Sequence, residues 1–201
     1  MGNIAVFGGT FNPIHSEHIK IIKHLSGLDF IDRIFVIPTY IPPHKTSEYL
    51  ADEEDRINMC RLATEGIEKV EVSDFEIKRK TTSYTYYTVE ALRNEFESDR
   101  IFVVCGGDMA ITLDTWHRYE ELKKLCTFLV IDRPDTDSKK LRQYLDGLKS
   151  GGADIEYTVC VTENVSSSAL RSKLLDGGKE YEIPKKVLQY INEKGLYRNE
   201  E

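Results

Sequence analysis

Short apolar runs and amphipathic stretches alternate along this chain, and that alternation restricts its fold more than any other property of the sequence. Runs of strand character lie at residues 4–7, 34–38, 70–75, 101–105, 128–131 and 157–161. Helical periodicity covers residues 17–25, 52–65, 88–96, 119–124, 137–148, 167–175 and 184–194. Short apolar strands separated by helices predict an α/β fold, a Rossmann-like open parallel sheet flanked by helices on both faces. The 201 residues suffice for one such unit with a full core, and no repeat or low-complexity linker divides them. Residues 1–201 therefore read as a single domain. Pro184 suits a first helical position and Gly195 a helix cap, so residues 184–195 read as a C-terminal packing helix. Residues 197–201 read as a fraying tail.

In an open parallel sheet, ligands bind beyond the carboxyl ends of the strands. Three polar clusters fall at such ends: residues 8–18 after the first strand, 39–45 after the second and 106–108 after the fourth. The first reads Gly-Gly-Thr-Phe-Asn-Pro-Ile-His-Ser-Glu-His. It has neither the GKS or GKT of a Walker A loop nor the third glycine of a dinucleotide fingerprint. Glycines let backbone approach an anion closely, and the N–H groups and dipole of a helix start favour negative charge. His15 and His18, three apart, can share one helix face. Without a nearby cysteine or third histidine, they are better explained as donors to phosphate oxygens than as metal ligands, although Asp and Glu could complete a metal set. No metal-ligating residue is assigned.

The other candidates have ordinary readings of their own. The serine run 166–168 before Ala169-Leu170 is a common helix N-cap pattern. Asp108 can be an N-cap, Lys45 a solvated lysine, Trp116 a core residue and Arg133 a surface residue. The balance of 27 Lys and Arg against 34 Asp and Glu gives a net charge of −7 with no long basic block. That argues against nucleic-acid binding. The four cysteines form no CxxC pair, and no leader or membrane-length apolar run is seen, so a cytoplasmic protein with reduced thiols and no membrane association is expected.

Residues 8–18 resemble the opening motif of the nucleotidylyltransferase superfamily, a glycine turn followed by H/T-x-x-H. Residues 165–171, Val-Ser-Ser-Ser-Ala-Leu-Arg, resemble the ISSTxxR signature of its adenylyltransferases. The segments Ile41-Pro42-Pro43-His44-Lys45, Ser83-Tyr84-Thr85 with Thr88, and Gly106-Gly107-Asp108 leading to Trp116 are similar to those of the bacterial nicotinate-nucleotide adenylyltransferases. The matches recur in order from the start of the chain to Arg171.

That resemblance implies transfer of the adenylyl group of ATP to nicotinate mononucleotide, giving deamido-NAD and pyrophosphate in NAD biosynthesis, with Mg2+ carried on the ATP. It implies catalytic roles for His15, His18 and Arg171. ATP would be bound by Gly8, Gly9, Thr10, Phe11, His18, Gly106, Asp108, Ser166, Ser167, Ser168 and Arg171. The mononucleotide would meet Thr39, Lys45, Tyr84, Thr85, Trp116 and Arg133. A homo-oligomer is allowed. The pattern is broken at Glu17, where glycine is usual, at Thr39-Tyr40, where an Asn-containing pair is common, at His117 for tyrosine and at Ser168 for threonine. Two rival readings are a sibling enzyme with another small phosphate acceptor, such as phosphopantetheine, and a nucleotide-binding regulator without turnover. Glu17 is the only support for the second.

Overall fold

The structure, a computed structural model, describes residues 2–41, 50–132, 138–161, 163, 165–176 and 182–198. Six parallel strands form one sheet: β1 (Asn3–Gly9), β2 (Arg33–Pro38), β3 (Val70–Val72), β4 (Arg100–Gly106), β5 (Thr127–Asp132) and β6 (Asp154–Val159), in the order β3-β2-β1-β4-β5-β6. Helices connect them: α1 (Ser16–Ser26), α2 (Glu53–Thr64), α3 (Phe75–Arg79), α4 (Thr85–Glu95), α5 (Gly107–Ala110), α6 (Tyr119–Leu122), α7 (Ser138–Ser150), α8 (Ser167–Leu175) and α9 (Lys185–Lys194).

Both sheet faces are covered, because alternate strand residues point to opposite sides. Ala5, Phe7, Ile34, Val36, Phe102, Val104, Leu129 and Ile131 pack with Ile22 and Leu25 of α1, Met59 of α2, Leu170 of α8 and Val187 and Ile191 of α9. Their neighbours Ile4, Val6, Phe35, Ile37, Ile101, Val103, Phe128 and Val130 pack with Val89 and Leu92 of α4, Leu122 of α6 and Leu141 and Leu145 of α7. No helix among the described residues is long and apolar enough to cross a membrane.

Several expectations need correction: Gly8 and Gly9 extend β1 rather than forming a turn, and the sixth strand runs Asp154–Val159 rather than 157–161. The third strand ends at Val72 rather than residue 75, because Asp74 starts α3: its carbonyl accepts the Lys78 N–H at 2.9 Å. Tyr197 is not frayed. Gly195 caps α9 at φ 66°, the Leu196 N–H returns to the Ile191 carbonyl at 3.0 Å, and Tyr197 is buried in the core. Residues 199–201 lie outside the described residues.

The strand order reverses at β1, which sits between β2 and β4. The β1–β2 ladder runs on to Gly9 opposite Pro38, whereas the β1–β4 ladder stops at Val6 opposite Val103. A crevice is thus defined beyond the ends of β1 and β4, where doubly wound sheets take their ligands.

Candidate active site

Gly8 and Gly106 flank that crevice. A Cβ on either would meet nothing within 4 Å, so both leave backbone open to a ligand. Gly9 is glycine for another reason: a Cβ there would lie 2.9 Å from the Phe11 ring. Phe11, at φ 47°, turns its ring into the core, 5.6 Å from Phe7 and 5.0 Å from His18, both edge-on. Its side chain is buried and packs edge-on against His18.

His15 is the N-cap of α1 and is buried. Its ring stacks on that of half-buried His18 at 3.7 Å, and its backbone N–H donates to His18 Nδ1 at 3.2 Å. An Nδ1 that accepts must be unprotonated in the neutral ring, so Nε2 carries the proton. The local fold therefore presets His18 as an Nε2–H donor.

The second phosphate element is α8. Ser166 caps it, its hydroxyl accepting the Ala169 N–H at 3.2 Å. Ser167 Oγ donates to the Pro13 carbonyl at 3.1 Å, and Ser168 Oγ accepts Arg171 Nη2 at 3.3 Å. Only Ser167 spends its hydroxyl proton on a structural partner; the Ser166 and Ser168 hydroxyls accept and can still donate to an anion beside the backbone N–H groups of the first turn. Arg171 Nη1 donates to the Asn12 carbonyl at 2.8 Å. The serine–arginine segment is thereby fastened to the loop that precedes the histidines, about 155 residues away in sequence.

Glu17 is explained by the same junction. Its carboxylate is buried; Oε1 pairs with Lys20 at 2.8 Å and Oε2 accepts the backbone N–H of Glu163. The acid therefore braces the approach to α8, and its charge is matched by Lys20 rather than set against a phosphate. That removes the one feature in favour of a non-catalytic regulator.

The other half of the crevice is built at the end of β2. The Thr39 N–H donates to the Gly9 carbonyl at 2.9 Å, while Thr39 Oγ1 is buried with no hydrogen-bond partner among the described residues. Ser83 Oγ accepts the Tyr40 N–H at 2.9 Å, docking the turn that carries Tyr84 and Thr85, the cap and first residue of α4. His117 stacks on Tyr84 at 4.2 Å, which brings neighbouring half-buried Trp116 to this side. Trp116 also packs edge-on against Phe128 at 6.3 Å. Asp108 is exposed in the first turn of α5, just past Gly106. Lys45 and Arg133 lie outside the described residues.

Arg56 also builds the site, although no pattern in the sequence marks it. Fully buried Arg56 donates to the carbonyls of Ala51 at 3.0 Å, Thr10 at 3.1 Å and Thr39 at 2.6 Å, tying the residue after β1 to the one after β2. Burial lowers its pKa, but a guanidinium stays charged at any working pH. Among the described residues, no group of three or more His, Cys, Asp or Glu side chains is placed to hold a metal ion.

A histidine-bearing helix start and a serine–arginine helix start, joined across the switch point of a parallel sheet, define a nucleotidyltransferase of the cytidylyltransferase-like class, whose family model matches residues 6–173. Its relatives narrow the class. A protein of Endomicrobium trichonymphae named probable nicotinate-nucleotide adenylyltransferase is 36% identical over 202 residues, covering 98% of this chain and 100% of that protein. One of the same name from Pseudomonas syringae pv. tomato is 35% identical over 209 residues, covering 97% and 93%. The chain belongs to the nicotinate-nucleotide adenylyltransferase family. Its fold is similar to that of Plasmodium falciparum nicotinic acid mononucleotide adenylyltransferase complexed with NaAD, at a TM-score of 0.81, 19% identity and 98% coverage of both chains.

Proposed function

We propose that this chain transfers the adenylyl group of ATP to nicotinate mononucleotide, forming deamido-NAD and releasing pyrophosphate. The observation that carries the reading is the fastening of Arg171 and Ser167 onto the Asn12-Pro13 backbone. It sets two anion-binding helix starts against one loop, as a triphosphate that must be cut between its α and β phosphorus atoms requires. The names borne by the relatives support the same substrates.

In this mechanism a phosphate oxygen of the mononucleotide attacks the α-phosphorus of ATP, and the bond to the bridging oxygen of the β-phosphate breaks. The nucleophile is already an anion, so no strong base is required; alignment and charge dispersal do the work. His18 donates from Nε2 to an α-phosphate oxygen, with His15 stacked behind it. Arg171 and the Ser167 and Ser168 N–H groups hold the β and γ phosphates and stabilise the leaving pyrophosphate. Gly8 and Gly106 admit the nucleotide, and Asp108 accepts hydrogen bonds from ribose hydroxyls. Among the described residues no cluster of three or more His, Cys, Asp or Glu side chains is placed to hold a metal, so a Mg2+ carried in on ATP would be held chiefly by the nucleotide and would supply charge neutralisation there.

Thr39 Oγ1, Tyr84, Thr85 and Trp116 form the mononucleotide side, where Lys45 and Arg133 also belong on the family resemblance. A carboxylate only accepts hydrogen bonds, whereas a carboxamide also presents N–H groups. A donor-lined pocket therefore prefers the acid. Dinucleotide and pyrophosphate formation from ATP with each mononucleotide in turn tests the proposal. No product with either refutes the activity, and equal kcat/KM for the acid and the amide refutes the selectivity.

A further inference from the structure

We infer that Tyr197, from the C-terminal tail, is a positioning residue for the ATP side of the site, acting through Asn12. The inference rests on the function proposed above. After α9 the chain turns back into the protein, with Gly195 at φ 66° and Tyr197 at φ 56°. A bulky residue rarely adopts that left-handed conformation, so the surroundings hold it there. The helix before it is itself fixed: Tyr190 donates to Asp55 at 2.7 Å and accepts from Asn58 at 3.2 Å, both on α2.

The buried Tyr197 hydroxyl donates to Asn12 Oδ1 at 2.6 Å, and the same oxygen accepts the Ala51 N–H at 3.1 Å. Two donors on one oxygen fix the plane and the sense of the amide. The backbone carbonyl of that same Asn12 receives Arg171 at 2.8 Å. Residues 51, 171 and 197 thus converge on Asn12, directly before the histidine motif. Burial raises the Tyr197 pKa, so the hydroxyl remains a donor throughout the neutral range. Packing alone does not call for that hydroxyl, since phenylalanine would fill the same core space. What the oxygen adds is the register of the Asn12 loop, and with it the place where Arg171 meets the β and γ phosphates.

Tyr197→Phe in this chain keeps the ring and removes the hydroxyl. Its melting temperature should stay within about 5 °C of the parent. KM for ATP, and the ATP Kd measured by calorimetry, should each rise roughly tenfold, with KM for nicotinate mononucleotide unchanged. Asn12→Ala should show the same pattern, and the double variant should be no worse than either single one, because both break one link. Unchanged ATP parameters, equal rises in both KM values, or additive losses in the double variant each overturn the inference. Should Tyr197→Phe fail to fold, Asn12→Ala decides by the same split between the two KM values. A parent protein that forms no dinucleotide defeats the proposed function instead, and the ATP Kd comparison still decides the role of Tyr197.

Discussion

Glu17 and Glu163, 146 residues apart, are joined by a hydrogen bond from the backbone N–H of Glu163 to the buried Glu17 carboxylate. Lys20 completes the junction, 2.8 Å from Glu17 and 3.1 Å from Glu163. An acidic side chain inside the histidine motif is thus a brace between α1 and the segment that leads to Ser166. Glu17→Gly, which restores the residue usual in the family, removes a charge-assisted bond and adds a helical glycine. The expected loss is about 2 kcal/mol, or roughly 4–8 °C in melting temperature for a chain of this size. KM for ATP should rise with it, since the second phosphate element loses its tether. Calorimetric melting and ATP kinetics of the one variant check both parts; a variant that melts with the parent shows that the brace contributes nothing.

His18 has its tautomer set by the His15 N–H at 3.2 Å and its ring held between His15 and Phe11. Such preorganisation matters most in the transition state, where charge moves onto the α-phosphate oxygens. His18→Ala should therefore lower kcat by about 100-fold or more while leaving KM for either substrate nearly unchanged. His18→Gln, which restores an N–H donor, should recover part of the loss. Steady-state kinetics with both substrates varied checks this; a fall in kcat of only about twofold would take His18 out of the reaction.

Features written in local spacing were legible from the chain alone. The start of α8 at Ser167 follows from a pattern of a few residues and stands as read, whereas Gly8 and Gly9, read as a turn, extend β1 opposite Ile37 and Pro38. Features that depend on distant partners were not. Residues 52–65 read only as a helical stretch, yet Arg56 within it is fully buried on carbonyls up to 46 positions away. Tyr197 looks like part of a polar tail until its hydroxyl is seen on Asn12, 185 positions earlier. The four-residue helix α5 is too short to show a period at all. Phe11 follows the glycines as an ATP contact would, but its positive φ turns the ring inward, and nothing in the residue order announces that.

Arg56 offers a direct measure of such long-range wiring. Its fork reaches Thr10 and Thr39 from one nitrogen at 3.1 and 2.6 Å and Ala51 from another at 3.0 Å. Lysine has one ammonium centre and cannot reproduce that spread. Arg56→Lys should cost about 3 kcal/mol, because carbonyls buried against the guanidinium lose donors. Both KM values should rise, since Thr10 lies on the ATP side and Thr39 on the mononucleotide side. Urea denaturation with a common m-value, alongside kinetics, checks this; full stability in the lysine variant would mean that the carbonyls find other donors.

Glu76 makes stability depend on pH. Its carboxyl lies buried under the start of α4, where Thr88 Oγ1 donates to it at 2.6 Å. Burial raises its pKa above the ordinary 4.5, and the hydrogen bond from Thr88 offsets only part of that shift. A raised carboxyl pKa means that the folded state holds the proton more tightly than the unfolded chain. The associated stability is fully present below the unfolded pKa near 4.5 and is lost as pH rises through the folded value. Glu76→Gln keeps an oxygen for Thr88 and removes the charge. The variant should gain on the parent as pH rises, so that its melting temperature relative to the parent is higher at about pH 8 than at about pH 4. Because Ser83 and Thr88 frame the Tyr84-Thr85 turn, KM for nicotinate mononucleotide should lose part of its pH dependence at the same position. Melting curves of the pair across that range decide the matter; a constant difference at every pH would show that Glu76 does not titrate between folded and unfolded states.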